Sequence, residues 1–460
     1  MKYDTALKEL NDFLGSRLLI KDEIPEFYAE DESYIKVWPM AVAIPETVEE
    51  IEKIVEVASR YKIPITPRGS GTSLSGGAVP CKNGLVVDLR RLNRILEEKP
   101  EDFQVLVEPG VIYDELNKQM YKYELFLPPN PGSGDQCTIG GMVASNASGP
   151  RSFKYGSIRR WILGVEVVTP AFGKLWFGSK TLKYASTYDL VGFIVGSEGT
   201  LGIITKILLR LAPLPSKRIG VLMPFNSIED AGKAIIKLAQ ANLDISALEI
   251  IDDITLEAVN KAFNVGFPKA EALVLMEIEC TSKDTDRLMS EIEIRIENLN
   301  EIVSKLDIAY PGPQVFFDAE EMWSKRRLAG ESLEHIYGGR LDEDVVVPIS
   351  RLVDLIREIK EISEKYSIKI AVFGHAGEGH IHPCILVKKN EALSDEIEKV
   401  KEAIFKVALK LEGALTGEHG IGLAKKRYLN LEVEENVIKI MKALKGVFDP
   451  NNIMNPDKKF

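Results

Sequence analysis

The stretch PITPRGSGTSLSGG, residues 64–77, decides how the N-terminal part of the chain is interpreted. A short apolar strand runs directly into a loop with four glycines and three serines within ten residues. Glycine lets the backbone approach a ligand closely, and its N–H groups can point at an anion such as a pyrophosphate. The spacing differs from the Rossmann fingerprint, and no Gly-Lys-Ser/Thr of a P-loop follows. Taken alone, the loop is explained equally well as a Gly/Ser-rich turn.

Two further glycine-rich stretches follow it, PPNPGSGDQCTIGGMVASNASG over residues 128–149 and GSEGTLGIIT over residues 196–205. Strand-like runs surround all three, and an amphipathic helix is predicted before the first, over residues 45–60. The first ~215 residues therefore read as one strand-rich α+β segment. Three such loops in one segment indicate a large cofactor that lies with its diphosphate against the backbone.

The prolines of LAPLPSKR, residues 211–218, predict a domain boundary. A chain of 460 residues is long enough for two or three domains. Beyond the boundary, strand-like runs alternate with charged helices, which predicts a second α+β domain with an open sheet. The last segment reads as helical and ends in a Pro/Asn turn.

Composition excludes several classes of protein. The formal net charge of -11 and the absence of a basic stripe argue against a nucleic-acid binder. Four scattered cysteines without CxxC spacing argue against a disulfide framework and fit a reducing compartment. The sequence contains no run of eighteen apolar residues, so it predicts no membrane-spanning helix. The charged N-terminus does not resemble a signal peptide. We therefore expect a cytoplasmic protein, with peripheral attachment to a membrane left open.

Four of the five histidines lie in two glycine-containing segments, namely His375, His380 and His382 in FGHAGEGHIHP and His419 in LTGEHGIG. On a strand, His380 and His382 point to the same face, and His375 can fold back toward them across a glycine turn. Glu418 and His419 point opposite ways in an extended segment. Two histidines and a carboxylate leave open positions on a divalent cation, so the pattern predicts a metal site. Histidines packed beside glycine turns without a metal are the alternative.

A candidate anion-binding group lies in WSKRRLAG, residues 323–330. The guanidinium of Arg326 or Arg327 can form a fork of hydrogen bonds to a substrate carboxylate. The fifth histidine, His335, stands alone and is predicted to be structural or exposed.

Taken together, these motifs resemble a known family. The three glycine-rich stretches are similar to the flavin-binding segments of the vanillyl-alcohol oxidase, or PCMH-type, fold. WSKR, GHAGEGHIHP, LTGEHGIG and FDPNNIMNP resemble FAD-linked 2-hydroxyacid dehydrogenases, among them D-lactate dehydrogenase and the glycolate oxidase catalytic subunit. The resemblance covers nearly the whole chain. It implies an α+β, PCMH-type FAD-binding domain of two subdomains over residues 1–215, an inserted α+β cap or substrate domain over 216–415, and a C-terminal segment over 416–460 that returns to the FAD domain.

The resemblance also implies roles for individual residues. The residues implied to contact FAD are Pro67, Arg68, Gly69, Ser70, Gly71, Thr72, Ser73, Thr138, Gly141, Ser148, Gly149, Tyr155, Glu198, Gly199, Ile203 and Asn455. The implied ligands of a divalent zinc, manganese or iron ion are His375, His382 and Glu418. The implied catalytic base is His419, and the implied substrate-carboxylate group is Arg326.

Four positions depart from the family pattern. Thr72 stands where some relatives attach the flavin through a histidine, so we expect noncovalent FAD. His380 stands where asparagine is usual, and is either a substitute polar contact or an extra ligand. Gly330 and Asp342 replace the threonine and lysine of the D-2-hydroxyglutarate branch, which argues against a second substrate carboxylate.

The resemblance therefore implies oxidation of a small D-2-hydroxy acid, best D-lactate, by hydride transfer to flavin. The chain carries no nicotinamide fingerprint, haem motif or iron–sulfur cysteine set, so we expect an external acceptor: a quinone, a cytochrome, an electron-transfer flavoprotein or another subunit. A homodimer is compatible with the sequence. Glycolate or another 2-hydroxy acid, a metallohydrolase, a transferase like alkyl-glycerone-phosphate synthase and a non-catalytic flavin subunit are the alternatives.

Overall fold

A computed structural model describes residues 2–388 and 391–460 of the chain. It divides into two compact units. Unit 1 comprises Met1–Ser148, Ser157–Leu214 and Glu418–Phe460, and unit 2 comprises Gly149–Gly156 and Pro215–Gly417. Unit 1 is thus assembled from three stretches of chain and unit 2 from two.

Unit 1 contains a four-stranded sheet of order β1-β2-β4-β3, a five-stranded sheet of order β5-β6-β10-β8-β9 and the pair β11-β7. In the first sheet β4 runs parallel to both β2 and β3, whereas the second sheet is antiparallel throughout. The strands are β1 (Leu18–Ile20), β2 (Ala41–Ala43), β3 (Ile65–Arg68), β4 (Leu85–Asp88), β5 (Ile95–Lys99), β6 (Gln104–Val107), β7 (Leu125–Phe126), β8 (Ile162–Thr169), β9 (Gly173–Gly178), β10 (Ile203–Arg210) and β11 (Ala212–Pro213).

The α-helices of unit 1 cover its sheets. The helix predicted over 45–60 forms at Val48–Tyr61, because Thr47 precedes it as an N-cap and its hydroxyl accepts a hydrogen bond from Glu50 N at 3.2 Å. Its apolar face, including the fully buried Ile51 and Ile54, packs in a core with β2, β3 and β4. The helices are Lys2–Leu14, Val48–Tyr61, Tyr113–Met120, Ile139–Ser145, Leu190–Ile194, Leu429–Glu432 and Glu435–Phe448.

Unit 2 is built on one sheet with the strand order β15-β12-β14-β13-β18-β19-β16, and β17 also pairs with β19. Each pairing is antiparallel, and the long central strands β13 and β14 are buried along their whole length. The strands are β12 (Lys217–Phe225), β13 (Ile245–Asp252), β14 (Ala272–Cys280), β15 (Gln314–Phe316), β16 (Leu341–Asp342), β17 (Val345–Val346), β18 (Ile370–Gly374) and β19 (His380–Ile385).

Amphipathic helices complete unit 2. Helix Ala319–Tyr337 begins after the N-cap Asp318 and buries Met322 and Trp323 against the sheet, with Leu222 and Leu275 in the same core. The helices are Ser152–Tyr155, Ile228–Ala239, Asp253–Phe263, Thr285–Val303, Ala319–Tyr337, Leu352–Tyr366 and Asp395–Lys410. Across residues 2–388 and 391–460, no helix combines the length and the apolar character needed to cross a bilayer.

Candidate functional site

The first glycine loop follows β3 and is held by a buried arginine. Arg68 is 4% exposed, and its guanidinium donates to the carbonyls of Ala78 (3.0 Å) and Phe27 (2.7 Å). Burial lowers the pKa of this guanidinium. Gly71 has φ +81°, and a Cβ there would lie 2.0 Å from Arg68 Nη2. Arg68 therefore holds the loop in shape through backbone carbonyls, and the loop requires glycine at position 71.

The second glycine stretch packs against the first loop within unit 1. Thr138 caps helix Ile139–Ser145, its hydroxyl accepting from Gly141 N at 3.2 Å. A Cβ on Gly69 would lie 2.3 Å from that hydroxyl, and Ser70 Oγ donates to Gln136 O at 2.6 Å. Backbone from two loops thus lies side by side where the sequence predicted a diphosphate.

The third glycine stretch is tied to the C-terminus. The buried Glu198 carboxylate accepts from the N–H groups of Ile421 (3.0 Å) and Gly422 (2.7 Å). Asn455 Nδ2 donates to Glu198 O at 2.7 Å and to Gly77 O at 3.1 Å. These two predicted FAD contacts therefore also hold the loop that follows His419.

The other predicted FAD contacts are spread over both units. Pro67, Gly199 and Ile203 belong to unit 1, where a Cβ on Gly199 would meet Pro67 Cγ at 3.3 Å and Ile203 is fully buried. Gly149 and Tyr155 belong to unit 2, and the Tyr155 hydroxyl donates to Glu279 Oε2 at 2.5 Å.

Thr72 and Ser73 are the other two predicted FAD contacts of the first glycine loop. Thr72 is partly buried, and Ser73 Oγ accepts from Gly77 N at 3.1 Å. Ser73 therefore stabilises the turn inside the first glycine loop.

Three histidines of unit 2 meet at the turn between β18 and β19. His375, His380 and His382 are 6%, 4% and 7% exposed, and one ring nitrogen from each lies within 4.8 Å of the others. The turn is closed by hydrogen bonds from His380 N to His375 O (3.3 Å) and from Gly379 N to Ala376 O (3.0 Å). The structure thus gathers imidazoles that the sequence only placed in one segment.

Glu249 connects this cluster to the candidate substrate arginine. It lies on β13 with no exposed surface, one oxygen contacting His375 Nδ1 and the other accepting from Arg326 Nε at 3.0 Å and Nη2 at 2.8 Å. Burial alone would raise the pKa of its carboxyl, but the interactions with His375 and Arg326 outweigh burial and hold the pKa at about 2. Sequence reasoning missed Glu249, because one glutamate in the apolar run ISALEIID carries no motif.

The structure distinguishes the two candidate arginines of unit 2. Arg326 is 12% exposed, pairs with Glu249 and lies 4.5 Å above the Phe373 ring. Arg327 is 53% exposed and pairs with Glu320 on the same helix. Arg326 is therefore the buried arginine of the two, and its carboxylate partner Glu249 also contacts His375.

Gly330 and Asp342, the two positions that depart from the D-2-hydroxyglutarate pattern, both lie beside Arg340. Arg340 contacts the Asp342 carboxylate, and a Cβ on Gly330 would lie 2.8 Å from Arg340 Nη2. Arg340 therefore takes the space that a larger residue at position 330 would need. No sequence motif marked Arg340.

The remaining predicted residues, Glu418 and His419, lie in unit 1. Glu418 Oε2 accepts from Ser148 Oγ at 2.5 Å, and Glu418 Oε1 is 3.6 Å from His419 Nε2. The His419 carbonyl accepts from Ser75 Oγ at 2.8 Å. Both side chains are largely buried, at 14% and 12% exposure. Glu418 and His419 are thus held beside the first glycine loop.

Comparison with known proteins places these features in one class, the FAD-dependent oxidoreductases. Residues 39–177 match a family described as FAD binding domain, and residues 214–459 match FAD linked oxidases, C-terminal domain. The chain belongs to the FAD-linked oxidase family.

Curated relatives cover most of the chain. It is 36% identical to the glycolate oxidase subunit GlcD of Bacillus subtilis, over 92% of this chain and 89% of that protein. It is 30% identical to a D-lactate dehydrogenase of Anaerostipes hadrus, over 98% and 96%, and 32% identical to a mitochondrial D-lactate dehydrogenase [cytochrome] of Arabidopsis thaliana, over 91% and 73%. The predicted family and the predicted class of enzyme are both confirmed.

Solved structures agree on the fold. p-Cresol methylhydroxylase superposes with a TM-score of 0.82 at 16% identity, covering 99% of this chain and 96% of that one. Alkyldihydroxyacetonephosphate synthase superposes with a TM-score of 0.74 at 20% identity, covering 99% and 86%. The predicted α+β, PCMH-type fold is confirmed.

Proposed function

We propose that the protein oxidises a small D-2-hydroxy acid, best D-lactate to pyruvate, with FAD and a divalent metal. The observation that carries the proposal is the buried Arg326–Glu249–His375 network, which fixes an arginine beside a cluster of histidines. Curated relatives named D-lactate dehydrogenase support the choice of substrate.

The glycine loops of unit 1 fit FAD. A Cβ at Gly69 or Gly71 would strike Thr138 or Arg68, so both positions require glycine, and the backbone N–H groups of this loop would bind the phosphate oxygens. Thr72 offers no imidazole for attachment, so the cofactor is noncovalent. When bound, FAD supplies a two-electron acceptor at flavin N5. We assign FAD binding to residues 1–215 and 416–460, and substrate binding to residues 216–415.

The donor set also fits a divalent cation. His375 and His382 are buried imidazoles, and the Nδ1 edge of His375 contacts a carboxylate, which is the arrangement that orients a metal-ligating histidine. We propose that these two residues and Glu418 hold zinc, manganese or iron. The bound cation would polarise the substrate hydroxyl and lower its pKa.

The chain's own residues would then bind the acid and remove its proton. Arg326 binds the substrate carboxylate, because its guanidinium is buried, oriented by Glu249 and still offers N–H donors beyond that contact. His419 takes the hydroxyl proton as general base, a role that typically raises the reaction rate by about 10²–10⁴-fold. Gly330 and Asp342 depart from the 2-hydroxyglutarate pattern, which argues against a second substrate carboxylate.

We further propose an external electron acceptor, namely a quinone, a cytochrome, an electron-transfer flavoprotein or a partner subunit. We keep the prediction of a cytoplasmic location, with or without peripheral membrane contact. The homodimer also stays a prediction. Glycolate is the second candidate substrate, since the relative at 36% identity is named a glycolate oxidase subunit.

The test is a visible spectrum of the purified protein, recorded anaerobically before and after D-lactate, glycolate or L-lactate is added. We expect flavin bands that bleach with D-lactate and persist with L-lactate. Bleaching by glycolate and not by D-lactate would move the proposal to the second candidate. Flavin bands that persist with all three acids would overturn both D-lactate and glycolate as substrates. An Arg326→Lys variant should raise the KM for D-lactate at least about tenfold, because one ammonium cannot replace a fork of hydrogen bonds.

A further inference from the structure

His380 belongs to the histidine cluster but has no role in the mechanism above. It opens β19, and His382 follows two residues later on the same face of that strand. The His380 ring centroid lies 4.8 Å from that of His382 and 5.3 Å from that of His375. His380 is thus as close to each of the other two as they are to one another.

The surroundings of His380 leave its Nε2 unsatisfied. The residue is 4% exposed, and this nitrogen has no hydrogen-bond partner among the described residues. The carboxylate oxygen Asp344 Oδ2 is 3.6 Å away and already accepts from Gly417 N at 2.9 Å and from Thr416 Oγ1 at 2.9 Å. A buried ring nitrogen without a partner is costly to a fold unless something binds it.

The fold holds this ring in place from both sides. A Cβ on Gly417 would lie 2.8 Å from His380 Nε2 and Cδ2, so glycine is needed for the ring to fit. On the other side the closed turn from His375 to Gly379 sets the position of the strand. The ring is therefore held within the cluster, where one of its two nitrogens lies within 4.8 Å of a ring nitrogen of His375 and of His382.

We propose that His380 is a third imidazole ligand, so that unit 2 by itself supplies a three-histidine metal site. This inference rests on the metal site of the proposed function, but not on its substrate. A site with three neutral nitrogen ligands favours zinc or iron over manganese, because imidazole suits the former and carboxylate oxygen the latter. The consequence is a metal that stays bound when the carboxylate ligand is removed.

The test uses the FAD-loaded protein, stripped of metal with a chelator and titrated with Co²⁺ alone. Each ligating imidazole of a Co²⁺ site gives one exchangeable, hyperfine-shifted N–H proton signal. We expect three such signals in the natural protein and two in His380→Asn. The Co²⁺ dissociation constant should rise at least about tenfold in His380→Asn, and its preference for Co²⁺ over Mn²⁺ should fall. The exposed His335→Asn is the matched control and should change neither quantity.

Two signals in the natural protein, or an unchanged Co²⁺ affinity in His380→Asn, would overturn the proposal. An increase in the KM for D-lactate with unchanged Co²⁺ binding would also overturn it and make His380 a substrate contact. If His380→Asn fails to fold, the signal count of the natural protein decides alone. Three signals without flavin bleaching by D-lactate would refute the proposed substrate and leave the three-histidine site standing.

Discussion

At the scale of single residues, Glu249 does the most to organise the candidate site. Its carboxylate has no exposed surface and is shared between His375 and Arg326. A buried carboxylate is retained only with partners of this kind, because an unpaired one would cost several kcal/mol, of order 3–5. Glu249 therefore orients both the proposed metal ligand His375 and the proposed substrate arginine Arg326, and links the two through one side chain.

Replacement of Glu249 by Gln should uncouple this pair. An amide keeps one acceptor oxygen, so either His375 or Arg326 loses its partner. We expect the metal dissociation constant to rise about 10–100-fold, as for other residues that orient a metal ligand. We also expect kcat/KM for D-lactate to fall at least about tenfold. Co²⁺ titration measures the change in the metal dissociation constant, and steady-state kinetics measure the change in kcat/KM.

Asp252→Asn is the control for that change. Asp252 is a buried carboxylate at the end of the same strand, but it accepts from the backbone N–H groups of Thr255 and Val372. Loss of metal affinity in both variants alike would mean that Glu249 acts through general stability and not through His375.

At the scale of elements, the β18–turn–β19 unit makes the histidine cluster. Antiparallel pairing of the two strands sets Phe373 opposite His382, and the turn returns His375 to the start of β19. Gly379 ends the turn with φ +69°, and a Cβ there would lie 2.0 Å from the carbonyl oxygen of Val347. A backbone atom cannot move aside as a side chain can, so this turn accepts glycine alone.

Replacement of Gly379 by Ala should therefore cost both strain and a clash. The left-handed conformation alone costs about 1–2 kcal/mol for a residue with a Cβ. The backbone shift that relieves the clash would displace His380, so we expect a loss of Co²⁺ affinity of at least about tenfold and a lower Tm. Calorimetry and Co²⁺ titration measure the two effects.

Gly338→Ala is the control that separates the effect of backbone strain from the effect of displacing His380. Gly338 has φ +82° in the same unit, and nothing lies within 4 Å of the Cβ position. This variant should lose stability by a similar strain and keep its metal affinity. Equal losses of metal affinity in the two variants would contradict the role given to the turn.

At the scale of the whole molecule, the end of the chain completes unit 1. Met454 pairs with Ile65 in a parallel bridge, next to the strand that carries the first glycine loop. Lys445, 7% exposed, donates to Thr200 O, Asp449 Oδ2 and Met454 O at 2.8–2.9 Å. One ammonium thus joins the last helix to the third glycine-rich stretch.

Replacement of Lys445 by Met should destabilise unit 1 by about 3–5 kcal/mol, because it leaves a buried carboxylate without its cation. Lys439→Met, on the same helix, removes an exposed pair with Glu435 and should change the free energy of unfolding by less than about 0.5 kcal/mol. Chemical unfolding followed by flavin fluorescence compares the two. Equal losses of unfolding free energy in the two variants would contradict the stabilising role given to the hydrogen bonds of Lys445.

The sequence by itself determined the family, the PCMH-type fold and the class of enzyme, because these rest on glycine-rich and histidine-rich motifs that are local in the chain. It also predicted the helix at 48–61 to within a few residues, since capping and apolar spacing are local properties. Only the tertiary structure decided that Glu249 lies between His375 and Arg326. Those three residues are up to 126 positions apart, and a strand, a helix and a turn must pack before one carboxylate can reach both partners.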